Sequence, residues 1–121
     1  MKTILLVEDE MIIALGTSWV LEEAGYTVVV AVNGEVGLTK ASENNPDLII
    51  TDYMMPRMDG LAMIRELRSR GVKVPIVLAT AIHEKGIPGN PRRSYDAYLG
   101  KPYGDEALLG TIQTLLAPEQ N

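Results

Sequence analysis

The chain has no cysteine and a single histidine, His83. A disulfide framework, a thiolate nucleophile and a thiolate metal site are therefore excluded, and imidazole chemistry rests on one residue. Positive charge is also short: 11 Lys and Arg face 16 Asp and Glu, giving a formal net charge of −5 and a pI near 4.8. Nucleic acids and anionic membranes both require a basic face, so neither is an expected partner, whereas a cationic ligand or partner is accommodated more easily. Long apolar runs are missing as well. The amino terminus offers only Ile4-Leu5-Leu6-Val7 before Glu8, too short for a signal peptide or a membrane span. No repeat, linker or low-complexity segment breaks the 121 residues, which read as one domain, 1–121. A cytoplasmic, monomeric protein is expected, and the start at Met1 with an end soon after the last helix reads as an intact stand-alone chain.

What is present is an alternation of short apolar runs with amphipathic stretches. Ile4 to Val7 reads as a buried strand and stops at three acids, Glu8-Asp9-Glu10. From Met11, the residues Ile12, Leu15, Trp19 and Val20 fall three or four apart, which predicts a helix with that face inward, Trp19 in the core and Gly25 as the stop. Tyr26 to Ala31 is a β-branched strand, Asn33 caps a helix running to about Asn44, and Asn45-Pro46 closes it. Leu48 to Thr51 is a third strand. Asp59 caps a helix carrying Leu61, Met63, Ile64 and Leu67, with Glu66 and Arg70 paired and Gly71 in the left-handed cap. Pro75 to Ala79 is the fourth apolar run and ends in Thr80; Ala97 to Leu99 is the fifth, and Asp105 to Leu116 the final helix. A helix is due between the last two strands, but His83 to Arg93 reads HEKGIPGNPRR. Two prolines and two glycines oppose a helix interior at roughly 3 and 1 kcal/mol each, so a loop or residual turn is expected. The alternation implies βαβ units and a parallel sheet whose strand ends share one edge.

That edge collects Glu8 and Asp9, Asp52, Thr80 and Lys101. An Asp after a strand is commonly a turn former or cap, but Asp52 lies too far upstream to cap the helix that Asp59 begins. Three carboxylates within a few ångströms repel by about 4 kcal/mol per pair at 4 Å for an effective dielectric near 20. A hard divalent cation relieves this, and so few protein ligands, all oxygen, suit Mg²⁺ better than a Ca²⁺ cage. The alternative is solvated acids paired with Lys101 and nothing more. A carboxylate nucleophile, a metal, a hydroxyl and a fixed cation are also the parts of a phosphoryl-transfer site.

Four stretches in order, Val7-Glu8-Asp9-Glu10, Asp52-x-x-Met55-Pro56-x-Met58-Asp59-Gly60, Ala79-Thr80-Ala81 and Tyr98-Leu99-Gly100-Lys101-Pro102-Tyr103, make the whole chain resemble the receiver domain of two-component response regulators. The resemblance implies a flavodoxin-like, doubly wound α/β fold with a five-stranded parallel sheet in order 2-1-3-4-5. It implies that Asp52 accepts phosphate from a histidine kinase or histidine phosphotransfer protein. Mg²⁺ would then be held by Asp9, Asp52 and the Met54 backbone carbonyl, with Glu8 acting through water. Thr80 and Tyr98 would form the switch pair, the hydroxyl moving onto the phosphoryl group and the ring turning inward. Lys101 would bind phosphoryl oxygens, with Pro102 commonly cis. Such a protein is not an enzyme toward outside substrates; it catalyses transfer to, and hydrolysis from, its own Asp52 and acts as relay, sink or adaptor on a downstream protein.

Several positions depart from the usual pattern. Glu8 replaces the commoner Asp, and the stretch in place of the fourth helix makes the output surface around strands 4 and 5, residues 82–97 and the last helix looser. The Pro75 to Ile82 run partly resembles alphaproteobacterial receivers with a Phe-Ala-Thr-Gly-type motif and a degenerate fourth helix, from which Leu78, Ala81 and Ile82 depart. Apolar Met54 and Ile82 near the site should slow hydrolysis of the phosphoaspartate. His83, Arg92-Arg93, Tyr95 and Tyr103 carry plainer expectations, as loop, solvated and packing residues. A haloacid-dehalogenase-type phosphohydrolase would need a second acid where Met54 stands. A constitutive scaffold would not need Asp52, Thr80 and Lys101 intact.

Overall fold

The computed structural model describes residues 1–88 and 94–117. Five strands, β1 (Thr3–Val7), β2 (Thr27–Ala31), β3 (Leu48–Thr51), β4 (Ile76–Thr80) and β5 (Ala97–Gly100), alternate with four helices, α1 (Met11–Glu23), α2 (Gly34–Asn44), α3 (Gly60–Ser69) and α4 (Asp105–Leu116). The strands pair in parallel in the order β2-β1-β3-β4-β5. The fold is therefore the flavodoxin-like doubly wound sheet. Chain order reverses between β1 and β3, and the crevice beyond the carboxyl ends at such a point is where open α/β sheets bind ligands.

Side chains alternate across the pleat, so the apolar strands feed two cores. Leu5, Val7, Ile49, Ile76 and Leu78 face α2 and α3. Ile4, Leu6, Leu48, Ile50, Val77 and Ala79 face α1 and α4. Helix ends follow the sequence: the side chain of Asn33 accepts from Val36 N and that of Asp59 from Ala62 N, both at 2.8 Å. Asn45 and Gly71 take left-handed conformations, φ 45° and 85°. Glu66 and Arg70 pair at 2.8 Å.

α1 lies the other way round from the expectation. Ala14, Thr17 and Leu21 are buried, while Ile12 is 86 % exposed and Leu15 and Trp19 are 64 % exposed. Apolar residues occupy both sides of this helix, so their spacing marks a face without saying which way it points. The small Ala14 lets the helix lie close to the sheet. Thr17 turns inward because its hydroxyl meets that of Tyr103 at 3.1 Å.

Where a fourth helix was due, the described residues form a 3₁₀ turn, Glu84–Gly86, capped by His83 Nδ1 accepting from Lys85 N at 3.2 Å. Ile87 and Tyr95 then enter the first core at 4 % and 5 % exposure, and the Tyr95 hydroxyl donates to Glu84 at 3.2 Å. Arg68 donates to the carbonyls of Val72, Val74 and Ser94 and pairs with Asp96 at 3.0 Å, tying α3 to the start of β4 and the approach to β5. Arg92 and Arg93, and so that part of the 82–97 expectation, lie outside the described residues.

Candidate functional site

The acids predicted at the strand ends converge. Carboxylate oxygens of Glu8, Asp9 and Asp52 lie within 4.8 Å of one another, with Glu8 and Asp52 buried and Asp9 exposed. Glu8 and Asp9 follow β1, and Asp52 follows β3, so the pair of strands at the reversal point supplies all three. Lys101 comes in from the end of β5, its backbone N–H bonded to the Thr80 carbonyl at 2.9 Å and its peptide to Pro102 cis. Its Nζ donates to Glu8 Oε1 at 2.5 Å and to Asp52 Oδ2 at 2.6 Å. The other Asp52 oxygen, Oδ1, accepts from Tyr53 N at 2.6 Å and from Met54 N at 3.3 Å.

Thr80 is buried at the end of β4, the next strand over, and its Oγ1 accepts from Ile82 N at 3.4 Å. Tyr98, half-buried on β5, packs against the first core and donates its hydroxyl to the Ile82 carbonyl at 2.5 Å. Both predicted switch residues thus grip Ile82, one at its N–H and the other at its C=O. The Met54 side chain is 59 % exposed, and among the described residues no N–H or O–H donates to its carbonyl. That donor set fits a hard divalent cation: three oxygen-donating carboxylates within 4.8 Å of one another, with the Met54 carbonyl not taken up by another donor. His83, an exposed cap on the turn beyond, takes no part.

Two residues also shape the site: Thr51, which the sequence did not single out, and Gly60, which it marked only as the end of a motif. Thr51 donates its hydroxyl to the Asp52 carbonyl at 2.9 Å, and Gly60 donates its N–H to the Tyr53 carbonyl at 2.7 Å. Thr51 reads as the last member of a strand and Gly60 as the first residue of a helix. Only the close packing of the loop between them discloses the second role.

Burial pushes the Glu8 carboxyl above its ordinary 4.5, and the hydrogen bonds from Lys101 and the Glu10 amide do not fully offset it. Burial pulls the Lys101 ammonium down, but hydrogen bonds to Asp52 and Glu8 outweigh this and hold it above 10.5. In both cases the folded state binds the proton more tightly than the unfolded chain does. The resulting stability is fully present below the ordinary value and is lost as pH rises through the folded-state value. For Lys101 that loss lies at alkaline pH. For Glu8 it falls between 4.5 and its raised value, so at neutral pH the carboxylate is held at a cost. Glu8→Gln is therefore expected to stabilise the metal-free protein at pH 7 by about 1 kcal/mol. The gain should shrink toward pH 4 and be accompanied by weaker divalent-cation binding. Urea unfolding at the two pH values checks this; an equal effect at both would sink it.

No helix among the described residues is long and apolar enough to cross a membrane. The family model for the response regulator receiver domain matches residues 4–113. The alkaline phosphatase synthesis transcriptional regulatory protein PhoP of Bacillus subtilis is 33 % identical over 120 residues, 95 % of this chain and 48 % of the relative. Response regulator MprA of Mycobacterium leprae is 37 % identical over 93 % of this chain and 50 % of its own length. The chain thus spans about half the length of these curated relatives. Among solved structures, the response regulator protein TrrA of Thermotoga maritima, in complex with Mg²⁺-BeF, superposes with a TM-score of 0.87 at 34 % identity over 96 % of this chain and all of that one. The receiver domain of sensor histidine kinase PA1611 from Pseudomonas aeruginosa, with a magnesium ion coordinated in the active-site cleft, gives a TM-score of 0.88 at 28 % identity, covering 97 % and 98 % of the two chains. A matching family model over most of the sequence, set on a sheet of the same topology, is decisive: the chain belongs to the response regulator receiver domain family.

Proposed function

We propose that this chain is a single-domain, cytoplasmic phosphoryl-accepting switch in which Asp52 is the acceptor. The observation that carries the reading is the convergence of three carboxylates within 4.8 Å, with Lys101 bridging Glu8 and Asp52. Asp9, Asp52 and the Met54 carbonyl would hold Mg²⁺, with Glu8 acting through water. When bound, that ion neutralises charge on the transferring phosphoryl group. An Asp52 carboxylate oxygen attacks phosphorus, the bond from phosphorus to the histidine nitrogen of the phosphodonor breaks, and an acyl phosphate forms. Lys101 exchanges a carboxylate for a phosphoryl oxygen. Thr80, at the end of the neighbouring strand and tied to Ile82 N only by a long bond at 3.4 Å, leaves it and donates to another phosphoryl oxygen. Ile82, released on one side, shifts while Tyr98 still holds its carbonyl, and the change passes to the segment that follows β4. Hydrolysis of the acyl phosphate returns the site to rest.

The phosphodonor is a histidine kinase or histidine phosphotransfer protein. It must reach Asp52, and α1 begins two residues after Asp9. The apolar residues Met11, Ile12, Leu15 and Trp19 of that helix are solvent-facing. They form the docking face this reading requires. A downstream protein would read strands β4 and β5, residues 82–97 and α4.

Labelling by acetyl phosphate with Mg²⁺, lost in Asp52→Asn, tests the reading; no Mg²⁺-dependent label on the wild type overturns it. Leu15→Asp with Trp19→Asp separates docking from chemistry. Transfer from a phosphorylated kinase should fall at least about tenfold, as for loss of an interface hot spot. Labelling by acetyl phosphate, which needs no docking, should be unchanged.

A further inference from the structure

The Thr51 side chain is wholly buried at the end of β3, and its hydroxyl is spent on the carbonyl of the very next residue, Asp52, at 2.9 Å. That carbonyl shares a planar peptide unit with the N–H of Tyr53, and in a trans unit the two point in opposite directions. The N–H ends on Asp52 Oδ1 at 2.6 Å. One rigid plane therefore carries a strand-end hydroxyl on one side and an oxygen of the Asp52 carboxylate on the other. The remaining contacts leave the plane little freedom. The Asp52 carbonyl lies so close to the Gly60 Cα that a Cβ there would stand 2.0 Å from it, and Gly60 N holds the Tyr53 carbonyl at 2.7 Å. With Oδ1 committed to backbone N–H groups, Oδ2 is the oxygen turned to Lys101 at 2.6 Å.

We propose that Thr51 is a positioning residue whose hydroxyl, by fixing the Asp52–Tyr53 peptide plane, sets the orientation of the Asp52 carboxylate. The proposal rests on the reading of Asp52 as phosphoacceptor. A buried carbonyl left without its donor turns toward another partner, because an unmet buried acceptor is costly. The Tyr53 N–H turns with it and releases Oδ1. The carboxylate then samples orientations in which neither oxygen is both held by Lys101 and aimed at an incoming phosphorus, and reaction from a misaligned nucleophile is slow.

Thr51→Val keeps the shape of the side chain and removes the hydroxyl, and Thr51→Ser restores it. Two measurements are read: the labelling rate at saturating Mg²⁺ and acetyl phosphate, and the ¹H shift of the Tyr53 amide in the unphosphorylated protein. Thr51→Val should lower the saturating rate by up to about 100-fold, the scale of a group misplaced by about 1 Å, and move the Tyr53 amide upfield as its short bond to the carboxylate loosens. Thr51→Ser should return both to near wild type. A residue that merely fills the strand end would leave the amide in place. An unmoved amide, or a Thr51→Val rate equal to wild type, overturns the proposal. Should Thr51→Val fail to fold, Thr51→Ala is read in the same way. The amide measurement needs no phosphodonor, so a wild type that does not label overturns the function while the test of Thr51 stands by itself.

Discussion

Lys101→Met is expected to destabilise the folded protein by about 3–5 kcal/mol at neutral pH, the cost of leaving buried charge without its partner. It should also slow labelling of Asp52 about 100-fold or more, the usual cost of removing one preorganised donor to a developing oxyanion. Both effects come from one atom. Among the described residues, Lys101 Nζ is the cation within hydrogen-bond reach of Glu8 and Asp52, whose side chains are only 4 % and 10 % exposed, so water offers little replacement. Methionine keeps the length of the stem and removes the charge. The carboxylates of Glu8, Asp9 and Asp52 then face one another within 4.8 Å. Adding Mg²⁺ during urea unfolding should narrow the stability deficit, because a divalent cation bound among these acids favours the folded state by mass action. It should not restore the rate, since the contact of the ammonium with the phosphoryl group is gone. A variant as stable as wild type without Mg²⁺ would show that the acids are solvated rather than held by this lysine.

Among the described glycines, Gly60→Ala is expected to be the most damaging replacement, costing about 3 kcal/mol, the upper end for an overpacked site. A Cβ at this position meets the Asp52 carbonyl oxygen at 2.0 Å, the Asp52 carbonyl carbon at 3.0 Å and Tyr53 Cα at 3.1 Å, all backbone. No side chain can rotate out of the way. Relief requires moving either the start of α3 or the end of β3, and the second carries Asp52 with it. Labelling should therefore fall together with stability, and excess Mg²⁺ should not recover it. Gly16→Ala supplies the contrast. Its Cβ meets nothing within 4 Å on the exposed side of α1, so it should raise stability by about 0.5–1 kcal/mol through the helix preference alone. Chemical denaturation of the two variants beside wild type decides the matter, and equal small effects would refute the packing argument.

Which parts of this molecule were readable in its sequence follows from the range over which each signal acts. Caps at Asn33 and Asp59, stops at Asn45 and Gly71, and strands that end in acid are local patterns, and each appears where its neighbours placed it. The gathering of Glu8, Asp9, Asp52, Thr80 and Lys101 was readable because parallel alternation puts every strand end on one edge. Trp19 was misread, because α1 has apolar residues on both sides and the choice between them depends on how closely Ala14 and Thr17 let the helix approach the sheet. Thr51, and the packing role of Gly60 within its motif, escaped notice for a related reason. Their second roles arise from one loop folding back on itself, a contact that neither residue type nor spacing announces. The replaced helix was half readable: its prolines and glycines opposed a regular helix and Tyr95 was expected to pack, but nothing in HEKGIPG signalled that Ile87 would seat in the core beside it.

The alternation of side chains along β1, β3 and β4 has an evolutionary consequence. The sheet is a partition: Leu5, Ile49 and Leu78 pack on one side of it, Ile4, Ile50 and Ala79 on the other. Helix residues of the two layers, such as Leu21 in one and Leu67 in the other, belong to separate clusters with the sheet between them, and changes at such separated sites combine nearly additively. Drift among the helix residues of the layer that carries α1 therefore calls for little epistatic repair in the layer that carries α2, α3 and Tyr95, and the reverse holds for the other layer.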